Sequence, residues 1–192
     1  AGPALVWRWY ASRREKIAAV QPNAGHRALA AFARRHPGRL SVITQNVDGL
    51  HQRAGSPDVL ALHGNIAEDQ WLEPCAMPHG LGGGCAPSSA QAGEPPSCQQ
   101  CGNLVRPAVV WFGERLPADA LAAAESAAQR CGLMLVVGTS GEVYPAAGLA
   151  FAAHAAGATV VVLNTEASAL DGMAHAVLRG RSAELLPQLL QG

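Results

Sequence analysis

The stretch from residue 133 to residue 164, LMLVVGTSGEVYPAAGLAFAAHAAGATVVVLN, decides the fold class. It opens with an apolar run of strand length, 133–137, and closes with a β-branched run, 159–163. Between the two runs, the alanine-rich residues 146–156 predict a helix, which Gly157 ends as a C-cap. A strand, a helix and a strand in this order predict a parallel sheet with a right-handed crossover.

The flanking sequence continues this alternation. Apolar residues at helical spacing predict a first helix over 4–20, and Asn23 is a candidate cap for a second helix over 26–35. The run LSVIT at 40–44 predicts a strand that is buried on both faces. The remaining predicted elements are a short strand over 109–112, a helix over 117–131 and a final helix over 185–190.

Composition excludes several classes of protein. Of the 192 residues, 49% are hydrophobic and 15% are charged, so the chain is not of the disordered type. The 14 basic and 14 acidic residues cancel, which argues against nucleic acids and membrane surfaces as partners. The sequence contains neither a signal-peptide pattern nor an apolar run of the roughly 18 residues that a membrane span needs. These features predict a cytoplasmic protein, which we expect to be a monomer.

Four of the five cysteines, Cys75, Cys85, Cys98 and Cys101, are clustered. The surrounding segment is rich in glycine and proline and has no helical or strand periodicity, and a loop of this length needs something to order it. We predict a zinc-binding module over 70–105, inserted between the two parts of a larger domain, 1–69 and 106–192. The fifth cysteine, Cys131, is interpreted as a core residue.

The spacing of the predicted zinc ligands is unusual in its first half. Cys98 and Cys101 form a CxxC pair, whereas Cys75 and Cys85 are ten residues apart. His79 is an alternative ligand to Cys85, and a degenerate site without metal is a second alternative. Four protein ligands would leave no open coordination position, so we expect this zinc to be structural.

Small polar residues follow three predicted strands, at the edge where open parallel sheets bind ligands. They are TQNVD at 44–48, GTSG at 138–141 and NTE at 164–166. Amide and acidic side chains there can bind ribose hydroxyls, and a glycine turn can bring backbone N–H groups to a phosphate. His63, after the apolar run 59–62, is a candidate general base, although a lone histidine is more often structural.

Taken together, these motifs resemble the signature of the sirtuins, the NAD-dependent protein lysine deacylases. The matching segments are TQNVDGLH at 44–51, LHG at 62–64, VWFGE at 110–114, GTSGEVYPA at 138–146 and NTE at 164–166. They occur in the order of the family and cover nearly the whole chain. The resemblance implies a Rossmann-like parallel sheet with a small inserted zinc-binding module.

The resemblance also implies a role for each matching residue. His63 would be the general base that activates a ribose hydroxyl of NAD. The residues implied to bind NAD are Gln45, Asn46, Val47, Asp48, Gly138, Thr139, Ser140, Asn164, Thr165, Glu166 and Ser182. Those implied to line the acyl-lysine channel or to lie beside the bound peptide are Val110, Trp111, Phe112, Gly113 and Glu114.

The implied reaction removes an acyl group from a protein lysine and gives nicotinamide and O-acyl-ADP-ribose. It needs a neutral imidazole at His63, so activity should fall as that imidazole takes up a proton.

Tyr10 and Arg13 suggest which acyl group is preferred. They lie three residues apart on the first predicted helix, and they match a Tyr-x-x-Arg pair that reads the acyl carboxylate in the desuccinylase-type branch of the family. We therefore expect succinyl or malonyl lysine to be preferred, with acetyl lysine also accepted. A surface arginine beside a half-buried tyrosine is the simpler alternative. The neighbouring Arg14 has a spacing from Tyr10 that does not match the pair.

One family feature has no counterpart in the sequence. It is an N-terminal strand with a Gly-Ala-Gly loop, whose backbone N–H groups hold the diphosphate of NAD. The Rossmann-like sheet is therefore expected to be N-terminally incomplete, and this polypeptide to bind NAD poorly. The principal expectation is a deacylase whose N-terminal part lies outside the sequence. The alternatives are a catalytically impaired acyl-lysine-binding or interaction module and, more weakly, ADP-ribosyl transfer.

Overall fold

The computed structural model describes residues 2–73, 88 and 92–191. Predicted elements that fall within these residues are compared with it below. In chain order the elements are α1 (Pro3–Ala19), α2 (Ala24–Arg35), β1 (Val42–Thr44), α3 (Leu50–Arg53), β2 (Val59–Ala61), β3 (Gly64–Trp71), β4 (Val105–Val109), α4 (Ala118–Arg130), β5 (Leu133–Val137), α5 (Gly148–Ala155), β6 (Thr159–Asn164), a 3-10 turn (Asp171–Met173), β7 (Ala176–Arg179) and α6 (Ser182–Leu189).

The described residues form two compact units. The first unit contains those within Ala1–Gln21, Val47–Gly49 and Gly64–Trp111, and the second contains those within Pro22–Asn46, Leu50–His63 and Phe112–Gly192. The described part of the predicted zinc module therefore belongs to the first unit, which also holds α1 and β3. In the described part of the chain, every helix is too short or too polar to cross a bilayer.

The second unit carries the parallel strands that the sequence predicts. Strand β1 pairs with β2 in parallel, and β6 lies between β5 and β7 with both pairings parallel. The α/β class is thus confirmed. The central strand β6 is the best covered, because it has neighbours on both sides and three of its residues are almost completely buried: Val160, Val162 and Leu163. Strand β5 has its only described pairing on one side, and Leu133 at its start is exposed.

Alanine lets helices pack closely against these strands. The main core cluster of the second unit combines Leu62, Leu149 and Val160 with the helical residues Ala124 and Ala153, all buried. A side chain as small as a methyl group allows the backbones of α4 and α5 to approach each other while keeping a dense interior. The alanine-rich composition of both helices is therefore a packing requirement.

The first unit is built from a helix on an antiparallel pair of strands. Strand β4 pairs with β3, from Gly64 opposite Val109 to Trp71 opposite Val105, with a register shift between Asn65 and Asp69. Tyr10 of α1 packs with Ile66 and Val109 in the core of the unit, and Val6, Ile17, Val47 and Trp111 surround them.

Two sequence predictions of local structure can be compared directly with the structure, and one of them is wrong. The cap of α2 is confirmed, since the Asn23 Oδ1 accepts a hydrogen bond from the His26 N–H at 3.1 Å. The strand predicted over 109–112 is wrong: β4 ends at Val109, where its pairing with β3 ends. Residues of β4 alternate between buried and half-buried, but the sequence did not indicate a strand there because it contains the polar Arg106 and Pro107.

Candidate functional site

The carboxyl ends of β1 and β2 bring two predicted site residues together. The strands pair in parallel from Val42 opposite Val59 to Thr44 opposite Ala61, so Gln45 and His63 leave the pair at the same end. The buried Leu62 donates its backbone N–H to the Thr44 carbonyl at 3.0 Å and continues the ladder by one residue. His63 is thereby presented from a rigid strand end rather than from a long loop.

A hydrogen bond fixes the tautomer of His63. Its Nδ1 lies 2.8 Å from the backbone carbonyl oxygen of Gln45. Because a carbonyl oxygen can only accept, Nδ1 carries the proton, and the neutral imidazole presents Nε2 as the nitrogen with the available lone pair. This is the arrangement that a general base requires.

Side-chain amides connect the strand ends of the second unit. The Gln45 Nε2 lies 3.4 Å from the Thr139 Oγ1, two residues beyond the end of β5. The Asn164 Nδ2 donates to the Thr139 carbonyl at 3.0 Å, and the Asn164 Oδ1 accepts from the Thr165 N–H at 2.9 Å. The three predicted polar strand ends therefore converge, as expected for parallel strands that end at one edge.

A cleft of about 200 Å³ lies beyond the ends of β5, β6 and β7. Four of the predicted NAD-binding residues line it, and three further residues do so that the sequence analysis had not included. The predicted residues are Gly138, Asn164, Thr165 and Ser182, and the additional ones are Leu163, Gly180 and Arg181. Gly180 and Arg181 directly follow β7, a strand that the sequence does not predict, so they were not identified as residues at a strand end.

Gly138 forms an open part of this cleft. Its φ is +63°, a value that favours glycine, and its N–H donates to the Leu163 carbonyl at 2.9 Å. A Cβ added at Gly138 would meet no heavy atom within 4 Å. The glycine thus leaves free space beside its backbone, so a ligand can approach the backbone closely.

The segment that follows β6 is held by a network around Asp171. The Ser168 Oγ donates to the Ser140 carbonyl at 3.0 Å, the Ser168 N–H donates to the Asp171 carboxylate at 3.1 Å, and Arg179 of β7 forms an ion pair with that carboxylate. The hydrogen bond from Arg179, with the one from Ser168, lowers the pKa of Asp171 below its ordinary value of 3.8. This network fixes the loop that contains Glu166 and was not predicted from the sequence.

In the first unit, α1 carries the two predicted acyl-reading residues. Tyr10 is buried, and its hydroxyl oxygen accepts a hydrogen bond from the Trp111 Nε1 at 2.8 Å. Arg13 is exposed, and its guanidinium carbon lies 4.0 Å from the centre of the Trp9 ring. A guanidinium stacked on an indole face is partly pre-oriented, which lowers the entropy cost of binding an anion.

Arg14 is occupied elsewhere in the same unit. Its Nε donates to the Ile66 carbonyl at 2.5 Å, and its Nη2 contacts the Glu68 carbonyl at 2.9 Å and the Asp69 carboxylate at 2.6 Å. These acceptors belong to the part of β3 where the register shifts. Of the two adjacent arginines, Arg14 is therefore structural and Arg13 faces solvent.

The remaining predicted residues have varied surroundings. Val47 packs in the apolar cluster around Tyr10, and its carbonyl accepts from the Ile66 N–H at 2.9 Å. Residues Asp48 and Val110 are half-buried, and Asn46, Ser140, Phe112, Gly113, Glu114 and Glu166 are exposed.

The CxxC half of the predicted zinc site forms a tight turn. Cys98 is buried, its N–H donates to the Asn103 carbonyl at 2.7 Å, and its own carbonyl accepts from the Gly102 N–H at 2.9 Å. Gly102 has a φ of +73°, which lets the chain reverse directly after Cys101. This turn fits two ligands of a zinc knuckle. Cys75, Cys85 and the alternative ligand His79 lie outside the described residues, and among the described ones no group of three metal-binding side chains occurs.

The parallel strands end at a glycine-lined cleft, and a histidine of fixed tautomer lies at a neighbouring strand end. This arrangement is typical of α/β proteins that bind nucleotides. Comparison with known proteins identifies the family. Residues 2–145 match the model of the Sir2 family. The NAD-dependent protein deacylase of Ralstonia nicotianae is 50% identical over 188 residues, which are 98% of this chain and 73% of that protein. The chain belongs to the Sir2 family, the sirtuins.

Solved structures agree with this assignment. A crystal structure of a Sir2 homologue–NAD complex is similar at a TM-score of 0.84 and 37% identity, over 98% of this chain and 71% of that one. A Sir2–p53 peptide–NAD+ structure is similar at a TM-score of 0.75 and 30% identity, over 92% of this chain and 72% of the other. The predicted sirtuin fold is thus confirmed.

Proposed function

We propose that this protein is an NAD-dependent lysine deacylase that prefers acyl groups ending in a carboxylate, such as succinyl and malonyl, and also accepts acetyl. Membership of the Sir2 family supports the reaction class, since the relative from Ralstonia nicotianae carries the name NAD-dependent protein deacylase. The observation that carries the proposal is the hydrogen bond between the His63 Nδ1 and the Gln45 carbonyl, which leaves Nε2 as the basic nitrogen.

The residues around the cleft fit a nucleotide. Gly138 leaves its backbone open, and Thr165 and Ser182, the latter at the start of α6, line the same cleft. When bound, NAD supplies a ribose carbon that becomes electrophilic as nicotinamide leaves. The chain contributes the rest: Gln45 and Asn164 tie the strand ends together around Thr139, and His63 takes a proton from a ribose hydroxyl.

The proposed preference for acidic acyl groups rests on α1. The Tyr10 oxygen already accepts a hydrogen bond from Trp111, so its own proton remains to be donated to another acceptor. Arg13 is exposed and stacked on Trp9, while Arg14 is bound to β3. One hydroxyl donor and one guanidinium on the same helix match a carboxylate, which can accept two bonds from arginine and a third from tyrosine.

The test is the substitution Arg13→Met, assayed by mass spectrometry with NAD and one peptide carrying succinyl, malonyl or acetyl lysine. Loss of a hydrogen-bonded charge pair costs about 1.5–3 kcal/mol, so kcat/KM for the succinyl peptide should fall about 10- to 150-fold. Deacetylation should change less than about twofold, because an acetyl group offers no carboxylate to arginine.

The matched control is Lys16→Met, which removes the same charge from the same helix and should leave the ratio of desuccinylation to deacetylation unchanged. Equal losses on both substrates in the Arg13 variant would refute the preference. Deacylation that persists at full rate after His63→Ala would refute the assignment of the base.

We also propose that the cysteine cluster holds one structural zinc ion. The turn over Cys98–Cys101 supplies two thiolates in a geometry suitable for a knuckle, and Cys75 and Cys85 are the proposed partners. With four thiolate ligands the metal would stabilise the fold and take no part in deacylation.

A further inference from the structure

We propose that Trp111 is a positioning residue for acyl selectivity, which acts by directing the Tyr10 hydroxyl proton toward the acyl carboxylate. This inference rests on the proposed preference for acidic acyl groups. It is carried by the hydrogen bond in which the Trp111 indole N–H donates to the Tyr10 oxygen over 2.8 Å.

The donor and acceptor roles in this contact follow from chemistry. An indole nitrogen can only donate, so the Tyr10 oxygen is the acceptor and the phenolic proton must point away from Trp111. A phenol that accepts one hydrogen bond is also polarised into a better donor, which is the cooperative effect known from hydrogen-bond chains. Trp111 therefore sets both the direction and the strength of the next bond in the chain.

The surroundings make this direction definite. Tyr10 is only 9% exposed and packs against Ile66 and Val109, so apolar groups occupy much of the space around its ring. Trp9 contacts the Tyr10 ring edge-on, with ring centres 4.8 Å apart, and carries the Arg13 guanidinium on its own ring. The hydroxyl proton and the Arg13 guanidinium thus belong to one aromatic cluster on α1.

Trp111 is itself held in place. The Arg106 guanidinium carbon lies 4.2 Å from the centre of the Trp111 ring, and the Arg106 Nη1 lies 3.3 Å from the Val109 carbonyl of its own strand. This stacked cation from β4 limits tilting of the indole, which keeps its N–H aimed at Tyr10. A series of contacts therefore runs from Arg106 to Trp111 and on to Tyr10, and the acyl carboxylate of the proposed substrate would be its last member.

The test compares Trp111→Phe with Tyr10→Phe and with the double variant, using succinyl-lysine and acetyl-lysine peptides. A net hydrogen bond is worth about 0.5–1.5 kcal/mol, so Trp111→Phe should lower kcat/KM for the succinyl peptide about 2- to 12-fold, mainly through KM. Because Trp111 is itself implied to line the acyl-lysine channel, the readout is the ratio of desuccinylation to deacetylation, which should fall by a similar factor. In the Tyr10→Phe background, the same Trp111 change should add less than about twofold, since its effect passes through the hydroxyl.

Two further variants separate positioning from packing. Trp111→3-benzothienylalanine replaces the indole N–H by sulfur and keeps the shape of the ring, so it should reproduce the selective loss even if Trp111→Phe folds poorly. Trp7→Phe makes the same indole truncation elsewhere on α1 and should leave the ratio of the two activities unchanged.

The outcomes distinguish this inference from the one on which it rests. A selective loss in Arg13→Met without one in either Trp111 variant overturns the role of Trp111 and leaves the acidic preference standing. Absence of selectivity in Arg13→Met overturns the preference itself. Losses that multiply in the double variant, or that are equal on both peptides, overturn the coupling through Tyr10.

Discussion

The substitution Gly64→Ala should strongly destabilise the first unit, although alanine by itself lowers the conformational entropy of the unfolded chain. Gly64 opens β3 with a φ of +81°, and an added Cβ would lie 2.0 Å from the Ala108 carbonyl oxygen and 3.0 Å from its carbon. Both atoms belong to the backbone of the paired strand β4, so no side chain can move aside. The ladder between β3 and β4 must shift to admit a single methyl group.

The expected cost has two parts. Alanine at a left-handed φ costs about 1–2 kcal/mol. Forcing a methyl group into a filled space costs a further 1–3 kcal/mol or so. The sum, about 2–5 kcal/mol, is a large share of the roughly 5–15 kcal/mol that stabilises a typical domain.

Urea titration followed by tryptophan fluorescence measures this cost. All four tryptophans, Trp7, Trp9, Trp71 and Trp111, belong to the first unit, so their emission reports on the unit that contains Gly64. The control is Gly49→Ala in the same unit. Gly49 has a φ of +66°, but its added Cβ would lie no closer than 3.8 Å to any neighbour. It should therefore cost only the backbone part, about 1–2 kcal/mol. Equal shifts of the unfolding midpoint in the two variants would refute the steric argument.

Two further predictions concern pH and metal. The ion pair with Arg179 lowers the pKa of Asp171, so its stabilisation should be present at neutral pH and vanish as the pH falls below about 4 through the folded-state pKa. Thermal midpoints of the wild type and Arg179→Met should accordingly differ at pH 7 and approach each other as the pH is lowered below 3.8, and a constant difference would contradict this. Plasma mass spectrometry should find one zinc per chain, lost in Cys98→Ser and after chelation with a fall in the thermal midpoint. Cys131→Ser is the control, because the Cys131 thiol donates to the Ala128 carbonyl at 3.2 Å, and equal zinc content in both variants would sink the proposed site.

The parts of the fold predicted from sequence are those whose side chains are uniformly apolar. Strands β5 and β6 read LMLVV and TVVVLN, and continuous burial of this kind leaves a strong local signal. Strand β3 reads GNIAEDQW, and four of its eight residues are exposed. Its pairing partner β4 lies more than thirty residues away, so nothing local marks either strand as part of a sheet. Strand β7 is mostly exposed and was missed for the same reason.

The residues of the candidate site that could be predicted are likewise those next to strands that the sequence reveals. Residues that follow a recognisable strand, such as Gly138 and Asn164, were predicted and do line the cleft. Arg181 lines it as well, but it follows a strand that the sequence did not reveal. The network of Asp171, Ser168 and Arg179 was also beyond reach, because it depends on how a loop folds back onto β7. Strand-end reasoning finds site residues only as far as the strands themselves are found.

The adjacent arginines of α1 show why spacing alone could not settle the proposed acyl-reading pair. Spacing from Tyr10 favours Arg13, yet at i,i+4 Arg14 lies almost as close on a helix surface. What separates the two residues is the register shift in β3, where the ladder is interrupted and the carbonyls of Ile66 and Glu68 accept from the Arg14 guanidinium. These acceptors are backbone groups more than fifty residues away, so their side-chain identities carry no trace of the contact. A buried or half-buried carbonyl without a partner is costly, and the Arg14 guanidinium supplies the donors that the interrupted ladder does not. The irregularity in β3 thus engages one arginine and leaves its neighbour exposed for a substrate anion.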